Sequence, residues 1–372
     1  MSEIKSILLL PYCPLPADHG GKVEMRKALQ GLRELGPCTI LSARARPVGT
    51  GWTPEIRAAL EKQGFRVVLR EDDEPRRFRP GRAWGFAYAA GSKALGLHRA
   101  FGHANPYHRL AFDPDWVARH AESADLAVFA YSYWAGFPTA CPKAVFLLDL
   151  WSDFMWGGHA AETRDLKTAD LVVSISRQEE ESLRARGITR TLWSPPFVAA
   201  ADLPDADGIA MVGSPSVFNR EGLRWLGGGL PDAPVKVYGG LARYARGPGF
   251  EAVGRYADTL DPYRQCGIVL MTTTGGMGVQ IKTIEALAAG RAIVARRGAM
   301  RGIPPGNGAW IEVDTPEAMR AETIRLQRDA GARRAQMEAA RAYYQQHLDA
   351  EKLRAELKIT LMQTSRRGAG QP

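Results

Sequence analysis

The sequence predicts an α/β protein built from two doubly wound, mostly parallel sheets. Three observations predict it. Short apolar runs alternate with helical patterns through the first 195 residues, a second such series starts near residue 209, and a stretch rich in Ala, Asp and Pro separates them. The 372 residues supply about two domains' worth of chain, and 45% hydrophobic with 24% charged residues is globular composition.

Taken in order, residues 7–10 read as a buried strand. Met25, Leu29, Leu32 and Leu35 then recur at helical spacing, and 38–41 returns as a strand. Runs at 67–69, 126–130, 145–148 and 171–175 continue the series. These runs are continuously apolar rather than alternating, the pattern of parallel strands covered on both faces. Ser194-Pro195-Pro196 and the following 199–208 read as a hinge. Strands at 209–212, 235–238, 268–271 and 292–295 follow, with helices near 219–227 and 281–289. Residues 316–362 are helical by composition, and 366–372 read as a frayed tail. The expected layout is a first domain over 1–195, a hinge over 196–207, and a second domain over 208–345. A helix over 346–365 is expected to pack back on the first domain, and 366–372 is the tail.

Forty-nine Lys and Arg against forty Asp and Glu give a net charge of +9, which points to an anionic partner: nucleic acid, a phosphate-bearing molecule or an anionic membrane. Most of the excess is local. Between 76 and 109 stand Arg76, Arg77, Arg79, Arg82, Lys93, Arg99 and Arg109, with no Asp or Glu. Phe78, Trp84, Phe86, Tyr88, Phe101 and Tyr107 are interleaved with them. Basic residues mixed with aromatics suit an anionic membrane surface or a lipid-phosphate acceptor, and stacking on nucleic acid or a solvated insert are the alternatives. No recognisable nucleic-acid motif accompanies the charge, so no nucleic-acid partner is expected. The four cysteines are scattered singly, which argues against a zinc site or a disulfide scaffold and fits a reducing cytoplasm. No apolar run approaches the roughly 20 residues that span a bilayer. The expected location is cytoplasmic, with peripheral attachment to the inner face of the cytoplasmic membrane through Arg76, Arg77, Arg79 and Arg82.

Two glycine loops carry the chemistry. Gly275-Gly276-Met277-Gly278 follows a strand and runs into a helix containing Lys282 and Glu285-Ala286-Leu287-Ala288-Ala289-Gly290. Free backbone N–H groups and the macrodipole at such a helix start favour a phosphate. Lys282 can meet a diphosphate there, and Glu285 can accept hydrogen bonds from ribose hydroxyls. The alternative is an exposed Lys–Glu pair on a solvated face. The second loop, Pro14-Leu15-Pro16-Ala17-Asp18-His19-Gly20-Gly21, opens the first helix, and a Gly-Gly pair there allows close backbone approach to a ligand. Neither loop spells the dinucleotide fingerprint GxGxxG. Asp149 follows the strand at 145–148, at the sheet edge where ligands bind, and could orient an acceptor hydroxyl or stabilise positive charge. His19 is the alternative polar group. The acidic runs 71–74 and 205–207 read as loops rather than metal sites.

With these loops in this order, together with Val212-Gly213-Ser214 and Asn219-Arg220-Glu221-Gly222-Leu223, the chain resembles the retaining family 4 glycosyltransferases of the GT-B fold, glycosyl transferases group 1. The resemblance implies two Rossmann-like domains facing across a cleft. It implies sugar transfer from a nucleotide diphosphate donor to an acceptor hydroxyl, with retention and without a metal or cofactor. It assigns Glu285 to the nucleotide ribose, Gly20 and Gly21 to the diphosphate and acceptor side, and Arg220 and Lys282 to the phosphates. The family's first glutamate, eight residues before the second, is Met277 here, so backbone groups of Gly276 and Gly278 would substitute for it. The expected setting is bacterial polysaccharide or glycolipid assembly with a glycan or lipid-linked acceptor. A GT-B nucleotide-sugar epimerase, or a non-catalytic binder of nucleotide sugars or nucleic acid, are the competing expectations.

Overall fold

The computed structural model describes residues 3–16, 20–44, 51–74, 112–150, 152, 159–230, 232–276 and 278–367. They fall into two compact units. The first ends at Pro196 and resumes at Arg354, and the second runs from Phe197 to Leu353.

The first unit opens with β1 (Ser6–Leu9), α1 (Gly20–Arg33), β2 (Cys38–Ser42), α2 (Pro54–Lys62), β3 (Phe65–Leu69), α3 (Arg70–Asp73) and α4 (Pro114–Ala121). It continues with β4 (Leu126–Ala130), a 3-10 turn at Ser132–Trp134, β5 (Lys143–Leu147), α5 (His159–Leu166), β6 (Leu171–Ser174), α6 (Arg177–Ala185) and β7 (Thr191–Trp193). The sheet is parallel, in the order β3-β2-β1-β4-β5-β6-β7. Strands β1, β4, β5 and β6 are buried along their whole length, as continuous apolar runs require. Ser6 pairs with Cys38 on one side and Leu126 on the other, so the chain order reverses between β1 and β4. In open α/β sheets such a reversal leaves a crevice at the carboxyl ends of the strands, where ligands bind.

The second unit contains β8 (Gly208–Val212), α7 (Val217–Leu226), β9 (Val235–Tyr238), a 3-10 segment at Gly239–Tyr244, β10 (Phe250–Gly254), α8 (Asp261–Gln265) and β11 (Cys266–Met271). It then has α9 (Ile281–Ala288), β12 (Ala292–Arg296), β13 (Ile311–Val313), α10 (Pro316–Arg328) and α11 (Ala330–His347), and α12 (Ala350–Arg367) returns to the first unit. Its parallel sheet has the order β10-β9-β8-β11-β12-β13. Ile209, Met211, Val237, Leu270 and Val294 of the strands pack with Leu223 and Leu226 of α7 in one core. A side chain at Gly222 would come within 2.5 Å of Thr272 Oγ1 and 3.0 Å of that residue's backbone. Glycine there lets α7 settle onto the exit of β11, and this sets the geometry of the site below.

Several expectations change. β7, β10 and β13 are strands that the sequence did not announce. The stretch expected as a hinge is fastened to the second unit, with Ala201 N bonding Ala288 O at 2.9 Å and Arg291 bonding the Leu203 and Pro204 carbonyls at 2.9 Å. The terminal helix does not run on from 346. It starts afresh at Ala350 because the Asp349 carboxylate accepts from the Glu351 and Lys352 amides at 3.0 Å, ending α11 and capping α12. The acidic run at 71–74 begins as the helical turn α3 rather than a loop. Its carboxylates are taken up by cations and by Trp116: Asp73 bonds Trp116 Nε1 at 2.7 Å and His120 at 3.0 Å, and Glu74 pairs with Arg119. Among the described residues no group of three or more His, Cys, Asp or Glu is placed to hold a metal ion, and no helix is long and apolar enough to cross a membrane.

Candidate functional site

The glycine loop of the second unit leaves β11 at Met271 and enters α9 at Ile281. A Cβ on Gly275 would lie 2.5 Å from the Phe218 ring, and Gly276 has φ of +99°, so each position needs glycine for its own reason. Gln280 precedes the helix in extended conformation, but its amide staples the loop by donating to the Thr273 and Ala299 carbonyls at 2.8 and 2.9 Å. Among the described residues no side chain caps α9, so its first turn presents backbone N–H groups and the positive end of the dipole.

Lys282 and Glu285 do not form the exposed pair that was the alternative expectation. They turn to different partners. Lys282 Nζ donates to Asn219 Oδ1 at 2.9 Å and to Thr273 Oγ1 at 3.2 Å. Thr273 Oγ1 also donates to Asn219 Oδ1 at 2.9 Å, and the Asn219 amide donates to the Ser214 carbonyl at 3.0 Å. The ammonium therefore sits among neutral acceptors. Burial, reinforced by the nearby Arg301 guanidinium, pushes the Lys282 amine down to about 7, with Glu285 pulling the other way. Arg301 donates to the Thr273 and Gly275 carbonyls at 3.2 and 2.7 Å, which locks the loop and brings a second cation to it. Arg220 follows Asn219 on α7 and lies 5.2 Å over the Tyr244 ring. Its Nε, like that of Arg301, has no hydrogen-bond acceptor among the described residues.

Glu285 Oε2 accepts from the Tyr263 hydroxyl at 2.9 Å. Burial raises this carboxyl, and Tyr263 and Lys282 oppose the rise. Tyr256 stands close enough for the Glu285 charge to add to the burial that raises its phenol. Lys282, Glu285, Gly276 and Gly278 thus meet in one place, and Arg220 adjoins it. Asn219, Thr273, Tyr263 and Arg301 belong to the same cluster and were missed as site residues. Asn219 lay inside a quoted segment, but nothing marked it as the hub. Tyr263 and Arg301 come from α8 and the turn after β12, and only the fold brings them in.

In the first unit Gly20 and Gly21 form the opening turn of α1, after β1. Asp149 lies two residues beyond the end of β5, half-buried, and burial pushes its carboxyl up to about 6. No donor among the described residues bonds it. Its neighbours are held firmly: Leu150 N donates to Glu179 Oε1 and Ser152 N to Glu162 Oε2, both at 3.0 Å. His19, Met277, Arg76, Arg77, Arg79 and Arg82 lie outside the described residues.

Residues 209–329 match the family model described as glycosyl transferases group 1. No curated protein matches the chain in sequence. Among solved structures, HepE of Anabaena in complex with UDP superposes with a TM-score of 0.66 at 13% identity, over 97% of this chain and 100% of that one. TarM of S. aureus, in a complex with fondaparinux, alpha-GlcNAc-glycerol and UDP, gives 0.65 at 10% identity over 96% and 99%. Sucrose-phosphate synthase of Thermosynechococcus elongatus gives 0.61 at 14% identity over 98% and 100%. The chain has the GT-B fold, and residues 209–329 of its second unit match the glycosyl transferases group 1 family model.

Proposed function

We propose that the protein is a retaining glycosyltransferase that takes its sugar from a nucleotide diphosphate donor. The observation that carries this is the cluster at the start of α9, where Lys282, the uncapped first turn and Arg301 gather positive character beside a carboxylate aligned by Tyr263. The cations and helix dipole suit a diphosphate, and Glu285 suits two ribose hydroxyls. HepE has been captured with UDP-glucose, a donor of this chemical class.

The step needs no protein nucleophile. The bond from the anomeric carbon to the diphosphate oxygen breaks while the acceptor oxygen bonds the same carbon on the same face. The acceptor proton passes to the departing diphosphate. Lys282, Arg220 and the α9 dipole stabilise the charge that develops on that leaving group. Asp149 orients the acceptor hydroxyl in the first unit, with Gly20 and Gly21 lining the approach. The acceptor is a glycan or a lipid-linked glycan, and the basic stretch with Arg76, Arg77, Arg79 and Arg82 attaches the first domain to anionic lipid on the inner face of the cytoplasmic membrane.

A thermal-shift screen of nucleotide sugars tests the donor class. At least one should raise the melting temperature of the wild type and leave Glu285→Ala unmoved. Consumption of that nucleotide sugar with no acceptor present would favour an epimerase instead. Liposome flotation tests the membrane surface: changing Arg76, Arg77, Arg79 and Arg82 to Glu should abolish it, and equal flotation rejects the idea.

A further inference from the structure

Lys282 is held in place by neutral groups, and Asn219 is the residue that arranges them. Asn219 is the third residue of α7 and is buried, and its backbone amide donates to the capping Ser216 Oγ at 3.2 Å. A Cβ on Gly213 would lie 3.1 Å from the Asn219 side-chain amide, so glycine at the exit of β8 leaves that side chain its room. With α7 settled against β11 by Gly222, Asn219 meets both the strand exit at Thr273 and the start of α9.

The Asn219 amide fits only one way round. An ammonium only donates and a main-chain carbonyl only accepts. Oδ1 faces Lys282 Nζ at 2.9 Å, while Nδ2 donates to the Ser214 carbonyl at 3.0 Å and to Ser214 Oγ at 3.2 Å. An aspartate at this position would set an oxygen against that carbonyl. A leucine would leave Nζ with Thr273 Oγ1 alone. Thr273 backs the arrangement, since its hydroxyl donates to Asn219 Oδ1 and accepts from Nζ, while its carbonyl takes Arg301.

The charged groups around Nζ come from three elements besides β11. Glu285, on α9 itself, is engaged by the Tyr263 hydroxyl of α8. Arg301, after β12, opposes the ammonium charge, and Arg220 beside Asn219 lies over the Tyr244 ring. Among the described residues no carboxylate is in ion-pair contact with Lys282, so both of its side-chain hydrogen bonds go to uncharged oxygens. A bound diphosphate would be the first anion to touch it.

We propose that Asn219 is a positioning residue of the donor site: its fixed amide holds the Lys282 ammonium by a neutral acceptor and so reserves that charge for the diphosphate of the ligand. This rests on the donor reading above and adds the residue that sets the pH range over which the ligand is held.

The test follows Lys282 in the full chain labelled with 13C-lysine. Its Cε signal, identified by its absence from Lys282→Met, is titrated without ligand, and the wild-type midpoint is expected at about 7. Asn219→Asp puts a carboxylate on Nζ and should raise the midpoint to about pH 8 or above. Asn219→Leu removes an acceptor that favours the charged form and should lower it to about pH 6 or below. Calorimetric titration of UDP, GDP, ADP and inorganic pyrophosphate then covers the same pH range. Affinity at pH 6 should fall about tenfold or more in either variant, and the pH at which binding fades should move with the Lys282 midpoint. An Asn219 that only supports the fold would lower affinity without moving either midpoint, and that result overturns the proposal. Thr273→Val also takes an acceptor from Nζ and should lower the midpoint, which keeps the test open should the Asn219 variants not fold. If the midpoints move but the wild type binds none of the four probes, the donor reading fails, and the reservation of Lys282 for a diphosphate falls with it.

Discussion

The Tyr263 hydroxyl, on α8, reaches Glu285 Oε2, on α9, across 2.9 Å, so the carboxylate at the base of the candidate donor site is aimed by a residue from another helix. Tyr263→Phe keeps the ring and removes that one bond. A hydrogen bond to a charged group is worth about 1.5–3 kcal/mol, so nucleotide affinity should fall roughly tenfold or more. Calorimetric titration checks this, and unchanged affinity would mean that Glu285 needs no aiming.

Lys282 gives a dependence on pH whose sign can be worked out. Its folded amine is held at about 7, below the unfolded value of about 10.4. The unfolded chain therefore binds more protons between these values, and stability rises with pH across that window. The wild type should gain up to roughly 4 kcal/mol on Lys282→Met between pH 7 and 10. Melting temperatures of both proteins across that range test it. Donor binding should run the other way, weakening above about pH 7 as the amine loses the proton a diphosphate requires.

Asp149 behaves oppositely in stability. Its folded carboxyl is raised to about 6, so the folded state is favoured at low pH and loses that advantage as pH rises through 6. The ionised form is the one that can accept from a hydroxyl. Acceptor-dependent turnover should fall below about pH 6 in the wild type, and Asp149→Asn should be slow at every pH. A pH–rate profile with the donor saturating separates the two.

The buried Lys27–Glu24 pair on α1, at 2.5 Å with side chains 3% and 4% exposed, makes a structural prediction. Lys27 also donates to the Ser194 and Pro195 carbonyls at 2.6 and 3.2 Å. Lys27→Met leaves a carboxylate buried without its cation and should cost about 3–5 kcal/mol. Adding Glu24→Met should recover part of that loss, short of the whole because the two carbonyls stay unmet. Urea denaturation of the three proteins measures it.

The central strands were legible because they are buried on both faces, and a run such as Leu126–Ala130 has nowhere polar to face. β7, β10 and β13 escaped notice for the complementary reason: each is an edge. β10 exposes Glu251, Ala252 and Val253, and the other two have three residues each. The candidate site divides in the same way. Glu285 and Lys282 stand in a local pattern of glycines and helix start, so their spacing announced them. Tyr263, Asn219 and Arg301 reach the site through packing between elements far apart in sequence.

The most direct test of the donor site is calorimetric titration of UDP, GDP, ADP and TDP into the wild type, Lys282→Met and Glu285→Ala. One diphosphate should bind the wild type, and each variant should lose about tenfold or more of that affinity. If none of the four binds, or if both variants bind as the wild type does, the second domain is not using the start of α9 to hold a nucleotide diphosphate.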